Sequence, residues 1–164
     1  MPCIWLKHDN RQLICVVAIL PVDAAAGMAS TPDGAPYNGP IISARALIDT
    51  GATTTCISAR LAQQLKMQPI GKVPIQGVSR ASYHNSYLFM IAFPFALPPG
   101  AAAAVALPSP KPNEVQAQIH VLQPVIHGVE FNAENAGFDV LLGMDVIRTG
   151  TLAVQGDGNF SFSF

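Results

Sequence analysis

The sequence predicts an all-β fold with one or two short helices, in a single domain that covers residues 1–164. Its apolar runs have the length of strands, roughly four to eight residues, rather than of long helices. Gly and Pro, which form turns and break helices, separate these runs. The chain has 164 residues, and half of them are apolar. A chain of this length can bury a substantial core.

Two buried strands are predicted before the first helix. Residues 13–20 are apolar on both faces and end at Pro21, as is typical of a buried strand. Residues 41–48 form the second strand and lead into Asp49. Between the two strands, residues 22–40 are rich in Gly and Pro and predict a long loop.

A short helix and a β-hairpin are predicted next. Ser58 is a favourable N-cap, and Leu61 and Leu65 lie one helical turn apart. Two β-prone arms flank Gly77, and the second arm continues to Phe93. We therefore expect Gly77 to lie at the tip of a hairpin.

The C-terminal half is predicted to form further strands. Residues 94–113 are rich in Pro and Ala and predict an irregular excursion on the surface. Asp145 is a candidate N-cap for a short helix over residues 146–149. The remaining patterns predict strands at residues 115–122, 124–129 and 139–142, and a hairpin formed by residues 151–155 and 159–164.

Charge and cysteine content limit the classes of function. The net charge is −1 and 12 % of the residues are charged, which provides no basic surface for nucleic acid. The apolar run at residues 13–20 is too short to span a membrane, so we expect neither nucleic acid nor a membrane as a partner. Cys3, Cys15 and Cys56 are odd in number and lack CxxC spacing. They predict free thiols in a reducing compartment, the cytoplasm.

The strongest functional motif is Asp49-Thr50-Gly51, which directly follows the buried strand at residues 41–48. Gly after an Asp at the end of a strand allows backbone and substrate to approach each other closely. A second buried stretch at residues 138–145 reads FDVLLGMD and also contains a Gly at the end of a strand. An acidic residue in this setting can act on a molecule bound above the turn.

These motifs resemble those of the retropepsin-like aspartic proteases, and the resemblance covers residues 41–164. It implies a single-lobe acid-protease barrel that works as a homodimer. In such enzymes two carboxylates share one proton and activate water to attack a peptide bond. The chain has one Asp-Thr-Gly motif, so the resemblance implies that Asp49 from each of two copies forms the catalytic pair. No cofactor is expected.

The resemblance also implies roles for neighbouring residues. Thr50 would lock the two catalytic turns together, while Gly51 and Ala52 would support the turn and Gly51 would contact substrate. Residues 160–164 would form an intermolecular sheet in the dimer. The flap that closes over a bound peptide would include Gly77, Val78 and Ser79.

Three features depart from the viral members of the family. The hairpin tip at residues 77–80 contains fewer glycines than viral flaps. The segments 22–40 and 94–113 have no counterpart in the minimal viral enzymes. Met144 and Asp145 follow the second Gly where viral enzymes have a basic residue, which is more similar to the retropepsin-like domains of cellular proteins.

Ala52 influences the expected pH dependence. Unlike Ser or Thr, Ala cannot donate a side-chain hydrogen bond to a carboxylate, so the charged form of the catalytic pair is less favoured. The sequence therefore predicts a mildly acidic to near-neutral activity optimum.

Alternatives stay open at the level of sequence. Asp49 can be a structural turn residue that accepts hydrogen bonds from the following backbone, and Thr50 and Gly77 can belong to ordinary turns. The chain would then be a catalytically silent module that binds a peptide or partner protein by β-augmentation, or a monomeric structural domain.

Metal and thiol chemistry are not predicted. His84, His120 and His127 are scattered and share no metal-ligand spacing. Cys56 has no His or Asn in a recognisable partner setting, so we interpret it as a small core residue.

Overall fold

The computed structural model describes residues 3–8, 12–22, 42–76, 81–96, 117–122, 125–132 and 136–164. In these ranges the protein is mostly β with two short helices, which confirms the predicted fold class. No helix in the described ranges is long and apolar enough to cross a membrane. The predicted flap residues Gly77, Val78 and Ser79 lie outside the described residues. So do residues 23–40, which are almost all of the predicted loop, and residues 97–113, which are most of the predicted excursion.

Strands make up most of the described ranges. In chain order they are β1 (Cys3–Lys7), β2 (Ile14–Pro21), β3 (Ile42–Ile48), β4 (Cys56–Ser58), β5 (Gly71–Gln76), β6 (Ala81–Ala96), β7 (Ala117–Val121), β8 (Ile126–Phe131), β9 (Val140–Leu142), β10 (Thr151–Val154) and β11 (Asn159–Ser163). The helices are α1 (Ala59–Gln64) and α2 (Met144–Ile147).

Six strands close into a barrel in the order β2-β3-β9-β4-β8-β6, and pairing of β6 with β2 completes the circle. Most neighbours are antiparallel, but β3 runs parallel to β9 and β4 runs parallel to β8. Strands β5 and β7 each pair with β6 outside this circle. Strand β6 is 16 residues long and continues to Ala96, so residues 94–96 are part of the sheet.

Side-chain alternation separates the inner face of the barrel from its outer face. On β3, Ala44, Ala46 and Ile48 are buried, whereas Ser43 and Arg45 are exposed. Complete burial of one large aliphatic or aromatic side chain contributes roughly 1.5–3 kcal/mol to stability. The large side chains that fill the inside of the barrel include Val17, Ile19, Ile57, Phe89, Ile91, Phe93, Val140 and Leu142.

The terminal strands form a second sheet in the order β1-β11-β10. Its Phe162 packs against Phe93 of the barrel with ring centroids 5.5 Å apart, and Phe164 stacks on Phe93 at 4.5 Å. Both edges of β11 are paired within the chain. The expected intermolecular sheet at residues 160–164 is therefore wrong for this arrangement, because neither edge of β11 is free to pair with a second copy.

The two helices begin differently. Ser58 Oγ accepts a hydrogen bond from the Leu61 N–H at 3.1 Å, which confirms Ser58 as the N-cap of α1. The N-cap of α2 is Gly143, so the prediction of Asp145 as the N-cap is wrong. Asp145 lies in the first turn of α2, and its carboxylate accepts hydrogen bonds from Thr55.

Asp139 fixes the start of α1 to the chain just before β9. Its Oδ1 accepts a hydrogen bond from Ser58 Oγ at 2.8 Å, and its Oδ2 accepts one from Arg60 Nη2 at 2.7 Å. Burial favours the neutral form of Asp139, but the hydrogen bonds from Arg60 and Ser58 and the charge of Arg60 outweigh it and hold the pKa of the carboxyl below its usual range. The ionised carboxylate is therefore part of the folded structure.

Candidate active site

The arrangement of three strands places Asp49. Strand β9 lies between β3 and β4, so the chain leaves β3 at Ile48, crosses the end of β9 and enters β4 at Cys56. The Asp49 N–H donates a hydrogen bond to the Leu142 carbonyl at 3.0 Å, which extends the pairing of β3 with β9 by one residue. The backbone of Asp49 is therefore held at the end of two parallel strands.

The turn after β3 contains the predicted catalytic residues. Asp49 Oδ1 accepts a hydrogen bond from the Gly51 N–H at 2.8 Å, and the Ala52 N–H donates to the Asp49 carbonyl at 3.2 Å. Asp49 is half-buried, and Thr50 and Gly51 are exposed. A Cβ on Gly51 would lie 3.2 Å from Asp49 Oδ1. Because Gly51 has no side chain, its backbone can lie close to the carboxylate.

The part of this turn that follows Gly51 is hydrogen-bonded to the start of α2. The Met144 N–H donates to the Ala52 carbonyl at 2.8 Å, and the Asp145 N–H donates to the Thr53 carbonyl at 3.3 Å. Just before α2, Gly143 packs directly on the backbone of Thr54. The turn is thus connected at both ends to the segment that contains Leu142 and Gly143.

Two side chains add to this connection. Thr55 is fully buried, and its Oγ1 donates to Asp145 Oδ1 at 2.7 Å and accepts from the Gly143 N–H at 3.1 Å. Asp145 Oδ2 accepts from the Thr55 N–H at 3.0 Å. Sequence reasoning missed Thr55, because its contact with Asp145 becomes visible only once β4 is known to pair with β9.

An apolar strip lies on the outer face of the barrel beside Asp49. Leu47 pairs with Leu141, Leu141 pairs with Cys56, and Cys56 pairs with Val129, so these four residues follow one another across β3, β9, β4 and β8. Leu47, Leu141 and Cys56 are half-buried, and Val129 is buried. Side chains alternate along a strand, so Asp49 belongs to the same face as Leu47.

Cys56 connects this apolar strip to the acidic turn. Burial raises the pKa of the Cys56 thiol, and the negative charges of Asp145 and Asp49 raise it further. Cys56 is therefore a half-buried residue next to the turn rather than the core residue that the sequence suggested.

The predicted hairpin has its two arms in the structure. Strand β5 pairs antiparallel with the first part of β6, from Gly71 with Ser86 to Gln76 with Ala81. Ser86 also pairs with Val129, so the face of the apolar strip continues onto the hairpin. The tip at residues 77–80, which includes the predicted flap residues, lies outside the described residues.

The described residues include no group of three or more His, Cys, Asp or Glu side chains that could hold a metal ion. The predicted residues Asp49, Thr50, Gly51 and Ala52 lie together in one turn. The chemistry available in this turn is that of a carboxylate with a backbone N–H donor at one of its oxygens.

The fold and this turn define a mostly β, single-lobe barrel with an accessible Asp-Thr-Gly turn. A family model described as aspartyl protease matches residues 35–88, which contain this turn, α1 and the arms of the hairpin. The match confirms the resemblance to the retropepsin-like aspartyl proteases and points to a protease-type function. No curated protein and no solved structure matches the chain.

Proposed function

We propose that the protein is an aspartic endopeptidase that hydrolyses peptide bonds in extended substrates as a homodimer. The position of Asp49 carries this proposal. Its carboxylate lies in a turn fixed by β3 and β9, beside an apolar strip, in a segment that matches the aspartyl protease family. A peptide lying along the strip would bring a carbonyl carbon close to this carboxylate.

The reaction needs a second carboxylate, because one group acts as the base and the other as the acid. Among the described residues, Asp139, Asp145 and Asp157 each accept hydrogen bonds that hold the fold or a turn together. We therefore assign the second carboxylate to Asp49 of a second copy, related by a two-fold axis.

In the proposed mechanism the ionised Asp49 removes a proton from water, and the oxygen of that water attacks the peptide carbonyl carbon. The protonated Asp49 of the second copy gives its proton to the carbonyl oxygen. In the resulting tetrahedral diol, the first Asp49, now protonated, gives its proton to the amide nitrogen, and the ionised Asp49 of the second copy takes a proton from one diol hydroxyl. The C–N bond then breaks to give a carboxylic acid and an amine, and both carboxylates return to their starting protonation states. No covalent enzyme intermediate forms, and no metal or cofactor takes part.

The neighbouring residues have supporting roles in this proposal. The exposed Thr50 can contact the turn of the second copy, and Gly51 and Ala52 keep the backbone close to the carboxylate and the substrate. The flap formed by Gly77, Val78 and Ser79 would close over the bound peptide.

The apolar strip suggests the type of substrate. Leu47 and Leu141 are half-buried beside Asp49 and would pack against side chains next to the cleaved bond. Substrates with apolar residues at these positions should therefore be preferred, because contact with the strip removes apolar surface from water.

Cys3, Cys15 and Cys56 are free thiols, which supports our assignment of the protein to a reducing compartment, the cytoplasm.

The proposal is tested by incubating the purified full chain with a peptide library and identifying the products by mass spectrometry. The matched variants are Asp49→Asn, which removes the proposed catalytic carboxylate, and Asp157→Asn, which removes a carboxylate from the β10–β11 turn. Sedimentation of each protein measures its assembly state.

Three outcomes distinguish the functions. Cleavage by the wild type and by Asp157→Asn, but not by a dimeric Asp49→Asn, supports the endopeptidase. Peptide binding without cleavage by either the wild type or Asp49→Asn supports the alternative, a silent module that binds by β-augmentation. A monomer at every concentration, without cleavage, contradicts both the dimer and the enzyme.

A further inference from the structure

We propose that Asp145 is a positioning residue for the reaction: through Thr55, its carboxylate holds the chain after Asp49 in the place that catalysis requires. This inference rests on the proposed endopeptidase activity, and it assigns a task to a residue outside the Asp-Thr-Gly motif.

Five hydrogen bonds connect residues 52–55 with residues 143–145. Two backbone hydrogen bonds join Ala52 to Met144 and Thr53 to Asp145. Three more bonds involve the side chains of Thr55 and Asp145, at 2.7, 3.0 and 3.1 Å. Ala52, Thr53 and Thr55 are thus hydrogen-bonded to residues 143–145.

The chemistry of this site requires a carboxylate. Asp145 Oδ1 accepts from Thr55 Oγ1 and, at 2.9 Å, from the Val146 N–H, while Oδ2 accepts from the Thr55 N–H. An ionised carboxylate has acceptors at both oxygens. An Asn at this position would turn an NH₂ group toward one of these donors, so it cannot accept all three hydrogen bonds.

The Thr55 hydroxyl links Asp145 to the end of β9. It is fully buried, and it donates to Asp145 while accepting from the Gly143 N–H. Removing it would leave the Gly143 N–H without this acceptor, and an unsatisfied buried donor is costly. The hydroxyl therefore fixes the end of β9 and the end of the catalytic turn against each other.

Asp49 depends on both ends of this connection. Its N–H is bonded to Leu142, directly before Gly143, and its carbonyl is bonded to the N–H of Ala52. Two Asp49 carboxylates that share a proton must meet within hydrogen-bond distance, and a displacement of about 1 Å can lower a rate about 100-fold. Loosening the contact between Asp145 and Thr55 should therefore act on the chemical step.

The test compares Asp145→Asn and Thr55→Val with two controls. Thr55→Ser keeps the hydroxyl, and Asp139→Asn removes a carboxylate that ties α1 to the chain before β9 without contacting the catalytic turn. Steady-state cleavage of one peptide gives kcat and KM separately, at a temperature where circular dichroism shows every variant to be folded and sedimentation gives its assembly state.

We expect kcat to fall about tenfold or more in Asp145→Asn and Thr55→Val, with KM changed less than about twofold. Thr55→Ser and Asp139→Asn should keep a kcat close to that of the wild type. If Asp145→Asn does not fold, the comparison of Thr55→Val with Thr55→Ser decides. Unchanged kcat in the folded variants, or an equal loss in Asp139→Asn, would overturn the positioning role and leave the proposed function intact. Absence of cleavage by the wild type would instead overturn the proposed function itself.

Discussion

Gly143 lies so close to Thr54 that a Cβ at position 143 would be 2.6 Å from the carbonyl carbon of Thr54 and 2.8 Å from its oxygen. Both neighbours are backbone atoms, so they cannot move aside as the end of a side chain can. Gly143→Ala should lower the free energy of unfolding by about 2 kcal/mol or more, because β9 and the turn must separate. Urea unfolding of the two proteins measures this difference. A variant as stable as the wild type would contradict the contact.

Gly51→Ala should affect activity more than stability. Position 51 is exposed, and its Cβ would lie 3.2 Å from Asp49 Oδ1. The carboxylate must then shift by a few tenths of an ångström, which disturbs its hydrogen bond with the residue 51 N–H. We expect kcat/KM to fall about tenfold or more while the unfolding midpoint stays close to that of the wild type. A stable variant with full activity would show that the close contact between position 51 and the Asp49 carboxylate does not matter for the reaction.

Ala52→Thr should move the activity optimum toward acid. A hydroxyl at position 52 can donate to the ionised carboxylate and favour its charged form, and one such hydrogen bond contributes about 0.5–1.5 kcal/mol. This corresponds to a shift of roughly 0.4–1.1 pH units in the kcat/KM profile. Ala52→Val has the same shape without the donor and serves as the control. Equal shifts in both variants would argue against the hydroxyl as the cause.

Local sequence patterns predict most of the strands but not which strands pair with each other. The apolar runs at residues 41–48 and 13–20 correctly predict β3 and β2, because a short apolar run that ends at a turn signal is typical of a buried strand. The family resemblance implies that residues 160–164 pair with a second copy, whereas β1 and β10 occupy both edges of β11. Pairing partners depend on contacts between distant residues, and a strand's own sequence does not specify them.

The candidate site shows the same limit. Asp49, Thr50, Gly51 and Ala52 are contiguous, so a motif finds them. The sequence predicts Asp145 as the N-cap of a helix over residues 146–149, a local role that Ser or Asp often has. Its observed partner Thr55 lies 90 residues earlier in the chain. The contact arises from the pairing of β9 with both β3 and β4, which no single stretch of sequence shows.

Asp139 should make stability depend on pH. The pKa of its carboxyl is lowered in the folded protein, so its contribution is complete above the ordinary Asp pKa of about 3.9. It is lost as the pH falls through the lower folded-state pKa, because protonation weakens the hydrogen bonds from Arg60 and Ser58. Asp139→Asn should unfold more easily at neutral pH, by about 1–2 kcal/mol, and the difference from the wild type should shrink in acid. Chemical unfolding at a series of pH values measures it, and a difference that stays constant down to strong acid would contradict the role of the charge.

Alkylation of Cys56 should report the charge of Asp49 without any need for catalysis. The thiol pKa is raised by burial and by the charges of Asp145 and Asp49, so at pH 8 little thiolate is present and iodoacetamide should react slowly. Asp49→Asn removes one of these charges, which lowers the thiol pKa and increases the thiolate fraction.

We expect the alkylation rate of Cys56 in Asp49→Asn to rise about twofold, because the larger thiolate fraction is partly offset by lower intrinsic nucleophilicity. Peptide mapping by mass spectrometry separates Cys56 from Cys15, which is buried and whose pKa of about 12 keeps it unreactive. Asp139→Asn is the matched control, because Asp139 is not among the groups that shift the thiol pKa. Equal Cys56 rates in the wild type and Asp49→Asn would contradict an effect of the Asp49 charge on this thiol. A faster rate in Asp49→Asn, with no change in Asp139→Asn, would support that effect.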